Sequence, residues 1–158
     1  MKALNTLASS IGKGLVAGFA GTAAMTASST LEARLRGRAP SSAPARATAK
    51  MLGIREFEDD QAKARFNDLS HWGYGTSWGV VRGLLAATGM PPKKATVAHG
   101  AAIYGAAQVT LPALEVAPPA IFWPKKEIAI DAFHHGVYAA ATGMAYELIS
   151  GHRNGENR

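Results

Sequence analysis

The side chains best suited to chemistry are polar residues that stand within otherwise uncharged stretches of the sequence. His71 and Arg82 are eleven residues apart, about three helical turns, so both lie on one side of a helix. Asp131, His135 and Tyr138 follow a similar pattern on a second helix, at offsets of zero, four and seven. In an apolar setting each such group needs a partner or water. These residues therefore indicate a polar site inside a helical protein.

The full candidate site contains eight residues from three predicted helices. They are His71, Arg82, His99, Gln108, Asp131, His134, His135 and Tyr138. The histidines allow three interpretations: hydrogen bonds between helices or in the headgroup region, haem or metal ligation, and a proton or ion path. The adjacent His134 and His135 diverge by about 100° on a helix, which disfavours ligation. We therefore expect no metal ligands and no cofactor.

Arg82 has two interpretations of its own. At the centre of a membrane helix an arginine costs about 2.5–3.5 kcal/mol, and less near an end where its side chain reaches the headgroups. Arg82 therefore either extends to the headgroups or forms an ion pair inside the bundle, with Asp131 or Glu147 as its partner. The sequence leaves both interpretations open.

The common signatures of hydrolytic and nucleotide-dependent enzymes are not identified in the sequence. We find no HExxH motif and no phosphate-binding P-loop, and we expect no nucleophile elbow. The absence of cysteine also excludes thiolate metal sites, iron–sulfur clusters, disulfides and cysteine nucleophiles. We therefore expect that the protein is not an enzyme and has no catalytic residues.

Four stretches that are poor in charge predict the helices that position the polar residues. A bilayer core of about 30 Å needs about 20 helical residues. The predicted spans are about 11–33, 69–89, 95–114 and 128–149, with a polar linker at 36–66. The sequence thus predicts an all-α fold, a polytopic membrane protein with a four-helix transmembrane bundle. Residues 1–158 form a single membrane domain in this interpretation.

Glycine spacing predicts how these helices pack. Gly14 and Gly18 stand four apart, and Gly75, Gly79 and Gly83 form a GxxxGxxxG pattern. Small residues at this spacing let membrane helices approach closely. The alternative is a soluble, alanine-rich bundle, but a soluble helix carries charge along one face over its whole length. The mean hydropathy of −0.01 does not decide between them, because glycine and alanine lower the average of a charge-free helix.

The basic residues indicate a membrane surface as the partner. The formal net charge is +6, and most Lys and Arg lie beside the ends of the uncharged stretches. Anionic lipid headgroups attract such residues, and no nucleic-acid-binding motif is present. We therefore expect a multi-pass protein of the inner (plasma) membrane whose partner is the lipid bilayer. A homo-oligomer or a membrane-protein partner is a further expectation, through the glycine faces.

Three segments carry a resemblance to a known family. They are SHWGYGTSWGVVRGLL at 70–85, QVTLPALEVAPP at 108–119 and KEIAIDAFHHGVYAAATGMAYE at 126–147. The shared features are His71, the pair Pro118-Pro119, Glu127-Ile128 and His134-His135-Gly136. Over residues 66–150 the chain resembles the YagU-like family of bacterial inner-membrane proteins. The resemblance implies a polytopic inner-membrane protein without an assigned reaction, and a link with acid stress.

These observations lead to one expected function and two alternatives. We expect a small integral membrane protein with a structural or interaction role in envelope homeostasis. The first alternative is proton, ion or small-solute transport through a bundle lined by His and Asp. The second is haem or metal binding by the same histidines.

Overall fold

Local sequence signals set the ends of the helices. Asp59 caps the third helix, where its side chain accepts a hydrogen bond of 2.6 Å from the backbone N–H of Ala62. Gly53 ends the second helix with a positive φ of 70°, which glycine adopts readily. Pro92 occupies the first turn of the fourth helix, where a missing N–H costs nothing. That helix ends at Ala113, directly after Pro112.

The structure, a computed structural model, describes residues 1–39 and 41–155. Its helices are α1 (Lys2–Leu35), α2 (Ala43–Leu52), α3 (Asp60–Ala87), α4 (Pro92–Ala113) and α5 (Lys125–Gly155), with one 3-10 turn at Ala120–Phe122. Within these ranges there is no strand, and the predicted all-α class is confirmed. No helix in the described part of the chain is both long and apolar enough to cross a membrane.

The four long helices cover the predicted spans, except that α3 ends two residues and α4 one residue before the predicted end. α2 adds a fifth helix inside the predicted polar linker. The long helices pack in a ring, in the order α1, α3, α4 and α5. α1 is antiparallel to α3, because Gly14 lies against Gly79 and Thr26 against His71. It is also antiparallel to α5, because Gly21 lies against Thr142 and Ser28 against His134. Since α4 is also antiparallel to α5, the bundle has up-and-down topology.

The bundle buries polar side chains and leaves large apolar side chains outside. Its largest fully buried side chains are Arg82, Tyr138, His99 and Thr142. Many apolar residues are instead 56–74% exposed, namely Val16, Phe19, Leu31, Leu69, Val97, Val109, Phe133 and Met144. The usual distribution of a water-soluble domain is the reverse of this one.

Candidate functional site

The contact between α1 and α3 brings backbone against backbone. A Cβ atom built on Gly79 would overlap the carbonyl oxygen of Gly14 and lie 2.8 Å from the Cα of Gly18. One built on Gly83 would overlap the carbonyl oxygen of Ser10. Real Cβ atoms do not approach backbone so closely, so only glycine fits. We call Gly14, Gly18, Gly79 and Gly83 the glycine seam.

The fifth predicted packing glycine, Gly75, also lies against α1, at a different position along the axis of the bundle. A Cβ atom there would lie 2.9 Å from the Cγ2 of Thr22 on α1. All five glycines that the sequence marked for packing are therefore used between α1 and α3. Their faces are occupied within the chain, so an oligomer cannot form through them without opening this contact.

Arg82 is buried in the bundle and forms an ion pair with Glu147, whose side chain is partly exposed. The Arg82 side chain is 0% exposed, and Nη2 donates a hydrogen bond of 2.6 Å to Oε1 of Glu147 on α5. The guanidinium also lies over the ring of Tyr146, with Cζ 4.4 Å from the ring centre. Of the two partners that the sequence offered, the structure pairs Arg82 with Glu147 and leaves Asp131 at the other end of the bundle. Nε and Nη1 of Arg82 have no hydrogen-bond partner among the described residues.

His99 lies near Arg82 and stacks against Tyr138. Its Nε2 atom is 3.0 Å from the carbonyl oxygen of Trp78, and its ring centre is 5.5 Å from that of Tyr138. Because a carbonyl only accepts, the proton of a neutral His99 sits on Nε2. Nδ1 of His99 then carries a lone pair, without a partner in the described part of the chain. The Tyr138 hydroxyl in turn donates to the carbonyl of Gly75 at 2.6 Å.

A second polar cluster joins α4 to α5. The Gln108 amide donates to Oδ2 of Asp131 at 3.1 Å. Nδ1 of His135 is 2.9 Å from the carbonyl oxygen of Asp131 and 3.5 Å from its Oδ1 atom. The ring of Tyr104 lies edge-on to the ring of His135, at 5.3 Å between centres. Three of the eight predicted residues, Gln108, Asp131 and His135, thus form one group.

His134 points away from that cluster and contacts α1. Its Nδ1 atom is 2.9 Å from the hydroxyl oxygen of Ser28, and its Nε2 atom is 3.8 Å from Oε2 of Glu32. His134 is only 5% exposed. His71 contacts α1 in a similar way, with Nε2 2.8 Å from the hydroxyl of Thr26. The eight predicted residues are therefore divided among several contacts along the bundle and do not form one site.

Charged residues at the ends of α1 and α5 form a network beside His134. Arg36 bonds to both Glu32, at 2.8 Å, and Glu127, at 3.0 Å. Arg38 also bonds to Glu32. The hydrogen bond from Arg36 holds the pKa of Glu127 below its ordinary value of 4.5. The same pairing raises the pKa of the Arg36 guanidinium, chiefly through its hydrogen bond to Glu127.

Sequence reasoning missed Ser28 and Glu32 as members of the polar contacts. One signal was available for Glu32, because it follows the first uncharged stretch and is trailed by three arginines, at 34, 36 and 38. A lone acid among bases at a helix end indicates an ion-pair network. Ser28 carried no such signal, since serines and threonines are frequent along α1.

The structure also bears on the nucleophile-elbow motif. Residues 75–79, Gly-Thr-Ser-Trp-Gly, do carry the sequence pattern of a nucleophile elbow, but they lie in the middle of α3. The Ser77 hydroxyl donates to the carbonyl of Tyr74 at 2.7 Å, as a serine in a helix does. An elbow requires a sharp turn between a strand and a helix, which is not the geometry at 75–79.

Among the described residues, no three His, Asp or Glu side chains are grouped so as to hold a metal ion. The resemblance to the YagU-like family stays a prediction. No family model, curated protein or solved structure matches this sequence.

Proposed function

We propose that the protein is an integral membrane protein whose α1, α3, α4 and α5 cross the bilayer as one bundle, with a structural or interaction role. The observation that carries the proposal is the inverted distribution of polarity. Arg82, His99 and Thr142 are completely buried, whereas Val97 and Val109 are 72% and 70% exposed. Lipid is the solvent in which exposed apolar side chains and a polar interior are both favourable.

The uncharged stretches lie at similar positions along the axis of the bundle, which supports a bilayer placement. These stretches are 14–31, 69–81, 95–114 and 132–146. Helix packing sets them side by side: Gly14 lies against Gly79, and Thr96 against Gly143. Toward the opposite end Gln108, within 95–114, meets Asp131 beside the start of 132–146. The 18 residues of 14–31 are about 27 Å long as a helix, close to the roughly 30 Å of a bilayer core.

The mean hydropathy of the helices is low because small and polar residues occupy the side that faces the interior of the bundle. The buried positions in the first two-thirds of α1 are Ser10, Gly14, Ala17, Gly18, Gly21 and Thr22. Leu15, Val16 and Phe19 alternate with them and face outward. An average over the whole helix mixes the two faces and understates the hydropathy of the outer one. The outer face alone is the surface that lipid contacts.

A structural or interaction role is supported by how the polar residues are used. Tyr138 bonds to the backbone of α3, His134 to a hydroxyl on α1, and Asp131 to an amide on α4. Each contact joins α5 to a different neighbour, which is what polar residues do when they hold membrane helices together. A location in the inner membrane and a link with acid stress rest on the family resemblance.

Proton or ion transport is the second candidate, favoured by the unpaired polar atoms near one end of the bundle. Nε and Nη1 of Arg82 and Nδ1 of His99 are buried without a partner among the described residues. Such groups interact well with water or ions. Liposomes that contain the protein and a pH-sensitive dye test this function at pH 5 and pH 7. Proton flux above that of empty liposomes supports transport, and equal flux argues for the structural role.

Cysteine labelling tests the membrane placement directly, because the natural chain has no cysteine. We expect Val97→Cys and Val109→Cys to resist a charged, membrane-impermeant maleimide in open membrane fragments and to react once the protein is denatured. Lys63→Cys, on an exposed position near the start of α3, is the matched control and reacts in both states. Reaction of Val97→Cys and Val109→Cys as fast as Lys63→Cys in native membranes overturns the proposal.

A further inference from the structure

The two ends of the bundle are built from different parts of the chain. One end, which we call the α2 end, contains the end of α1, α2, the start of α3, the end of α4 and the start of α5. Lys50 of α2 lies there, 3.4 Å from Glu115, just beyond the last residue of α4. The opposite end, which we call the turn end, contains the start of α1, the connection between α3 and α4 at 88–91, and the end of α5.

Positive and negative charges nearly balance at the α2 end. Its charged residues lie in segments 32–68 and 115–131, which contain ten Lys and Arg and nine Asp and Glu. Several of them pair with each other, as Arg38 does with Glu32 and Arg36 with Glu127. The α2 end therefore has most of the basic residues but little net charge.

The rest of the chain has an excess of positive charge. It contains seven Lys and Arg against two acidic residues. One of these acids, Glu147, already pairs with the buried Arg82.

Two lysines of the turn end carry exposed charges that the chain does not compensate. Lys93 and Lys94 lie in the first turn of α4, which has no acidic residue, and both are exposed. Neither has an ion-pair partner in the described part of the chain. The dipole of α4 also disfavours positive charge at this position. The two lysines therefore do not stabilise their own helix, and both charges are available to an anionic partner.

The residue that follows the two lysines on α4 indicates the kind of partner. Val97 comes four residues after Lys93 and three after Lys94, so the three residues lie on one side of the helix. Val97 is 72% exposed and faces acyl chains in the proposed membrane placement. Four helical residues rise about 6 Å, and a lysine side chain extends further toward the headgroups. A lipid whose acyl chain contacts Val97 therefore has its phosphate beside the lysines.

The other end of the same helix has no such arrangement. Val109, which is 70% exposed, is the outward-facing residue near the α2 end. The first charged residue after it is an acid, Glu115, and that acid pairs with Lys50. An anionic headgroup above Val109 would meet a carboxylate, whereas one above Val97 meets two lysines.

We propose that the turn end binds anionic phospholipids, with the headgroup phosphate on Lys93 and Lys94 and an acyl chain against Val97. The binding is selective for lipids of net negative charge, because a zwitterionic headgroup neutralises its own phosphate. This proposal rests on the proposed membrane placement and adds a lipid class and a position to it. It assigns the anionic lipid to the end with the larger excess of positive charge, although the α2 end has more Lys and Arg.

Lipid selectivity in detergent tests the proposal. Native mass spectrometry compares retention of phosphatidylglycerol with that of phosphatidylcholine of identical acyl chains. We expect phosphatidylglycerol to bind about fivefold tighter or more, because each lysine near an anionic headgroup adds to the attraction. Equal retention of the two lipids, or stronger retention of phosphatidylcholine, overturns the proposal.

Two double variants assign the selectivity to one end of the bundle. In Lys93→Gln/Lys94→Gln both charges are removed from the turn end, so we expect the preference for phosphatidylglycerol to disappear. Lys63→Gln/Arg65→Gln is the matched control, since it removes two exposed charges from the α2 end, and we expect it to keep the preference. All four side chains are exposed, so the thermal unfolding curves in lipid-free detergent should stay unchanged. Loss of the preference in both variants, or in neither, contradicts the proposal.

An acidic segment of another protein is the alternative occupant of the turn end. Soluble polyglutamate, added at the same concentration of negative charge, has no acyl chain to contact Val97 and is expected not to displace phosphatidylglycerol. Displacement that depends on Lys93 and Lys94 overturns the lipid proposal in favour of an acidic protein. Because these measurements are made in detergent, their failure leaves the result of cysteine labelling in membranes intact. The two proposals can therefore fail separately.

Discussion

The glycine seam and the contacts of α5 hold the same bundle together by different means. At the glycine seam the backbones of α1 and α3 touch, and no side chain takes part. We call the α5 contacts the set formed by Glu147 with Arg82, Tyr138 with Gly75, His134 with Ser28, and Glu127 with Arg36. These are hydrogen bonds and ion pairs between side chains and their neighbours.

The glycine seam depends on the shape of the two backbones, whereas the α5 contacts depend on charge and hydrogen bonding. At the glycine seam any added atom clashes, so the seam tolerates no side chain and offers no free polar group. At the α5 contacts some polar atoms are still unpaired, including Nε of Arg82 and Nε2 of His134 within the described residues. The α5 contacts therefore still offer polar atoms to a ligand, whereas the glycine seam offers none.

The largest expected effect comes from removing Glu147, even though Glu147 is the more exposed partner of its ion pair. Glu147→Ala leaves the Arg82 charge completely buried without its counter-ion. Breaking such a pair costs about 3–5 kcal/mol in the free energy of unfolding. Arg82→Met costs less, because the side chain of Glu147 is 45% exposed and can turn to solvent or headgroups. Unfolding titrations in detergent measure both, and a larger loss in Arg82→Met contradicts the prediction.

The next effect tests the glycine seam. In Gly79→Ala the new methyl group meets the backbone of Gly14 and Gly18, and overpacking of this kind costs about 1–3 kcal/mol. Gly73→Ala is the matched control on the same helix, since nothing lies within 4 Å of its Cβ position. We expect Gly73→Ala to be neutral or to stabilise the helix. Equal unfolding free energies for the two variants would show that α1 and α3 can move apart at little cost.

A smaller effect is expected for Tyr138→Phe among the α5 contacts. The substitution removes the hydroxyl that donates to the carbonyl of Gly75 at 2.6 Å and keeps the buried ring. One hydrogen bond contributes about 0.5–1.5 kcal/mol, so we expect a loss of about 1 kcal/mol in the same titrations. Tyr74→Phe changes a tyrosine that is 41% exposed and should be nearly neutral.

The smallest effect is a pH dependence at Glu127. Its pKa is depressed in the folded protein by Arg36, so its contribution to stability is present above the ordinary value of 4.5 and is lost as the pH falls below it. We expect the thermal midpoint of the natural chain to exceed that of Glu127→Gln slightly at pH 7. The difference should shrink as the pH is lowered below 4.5, and 0.5 M salt should reduce it at pH 7. A difference that grows on acidification contradicts the sign of the shift.

The helices could be predicted from the sequence because their signals are local. Uncharged stretches predicted the four long helices. Asp59, Gly53 and Pro112 are local signals that lie at or beside three of the observed helix ends. Each signal depends only on neighbours in the chain, so it does not require knowledge of the packing.

The pairing of the polar residues is harder to predict, because it depends on the relative height and rotation of helices. Even so, the pairing of Arg82 with Glu147 could be predicted from the sequence. In an up-and-down bundle the second and fourth long helices are parallel, which puts Arg82 and Glu147 at the same end and Asp131 at the other. The rotation of α5 about its own axis could not be predicted in this way, because nothing in the sequence distinguishes which of His134 and His135 faces α1.

The adjacent histidines have a mechanical consequence for α5. His134 engages α1 through Ser28, while the next residue, His135, lies against the Tyr104 ring of α4. Two neighbouring residues thus contact two different helices, in directions about 100° apart around the axis of α5. Rotation of α5 about its own axis would break both contacts together. α5 therefore cannot rotate independently of its neighbours, and we expect α1, α4 and α5 to move as one rigid body.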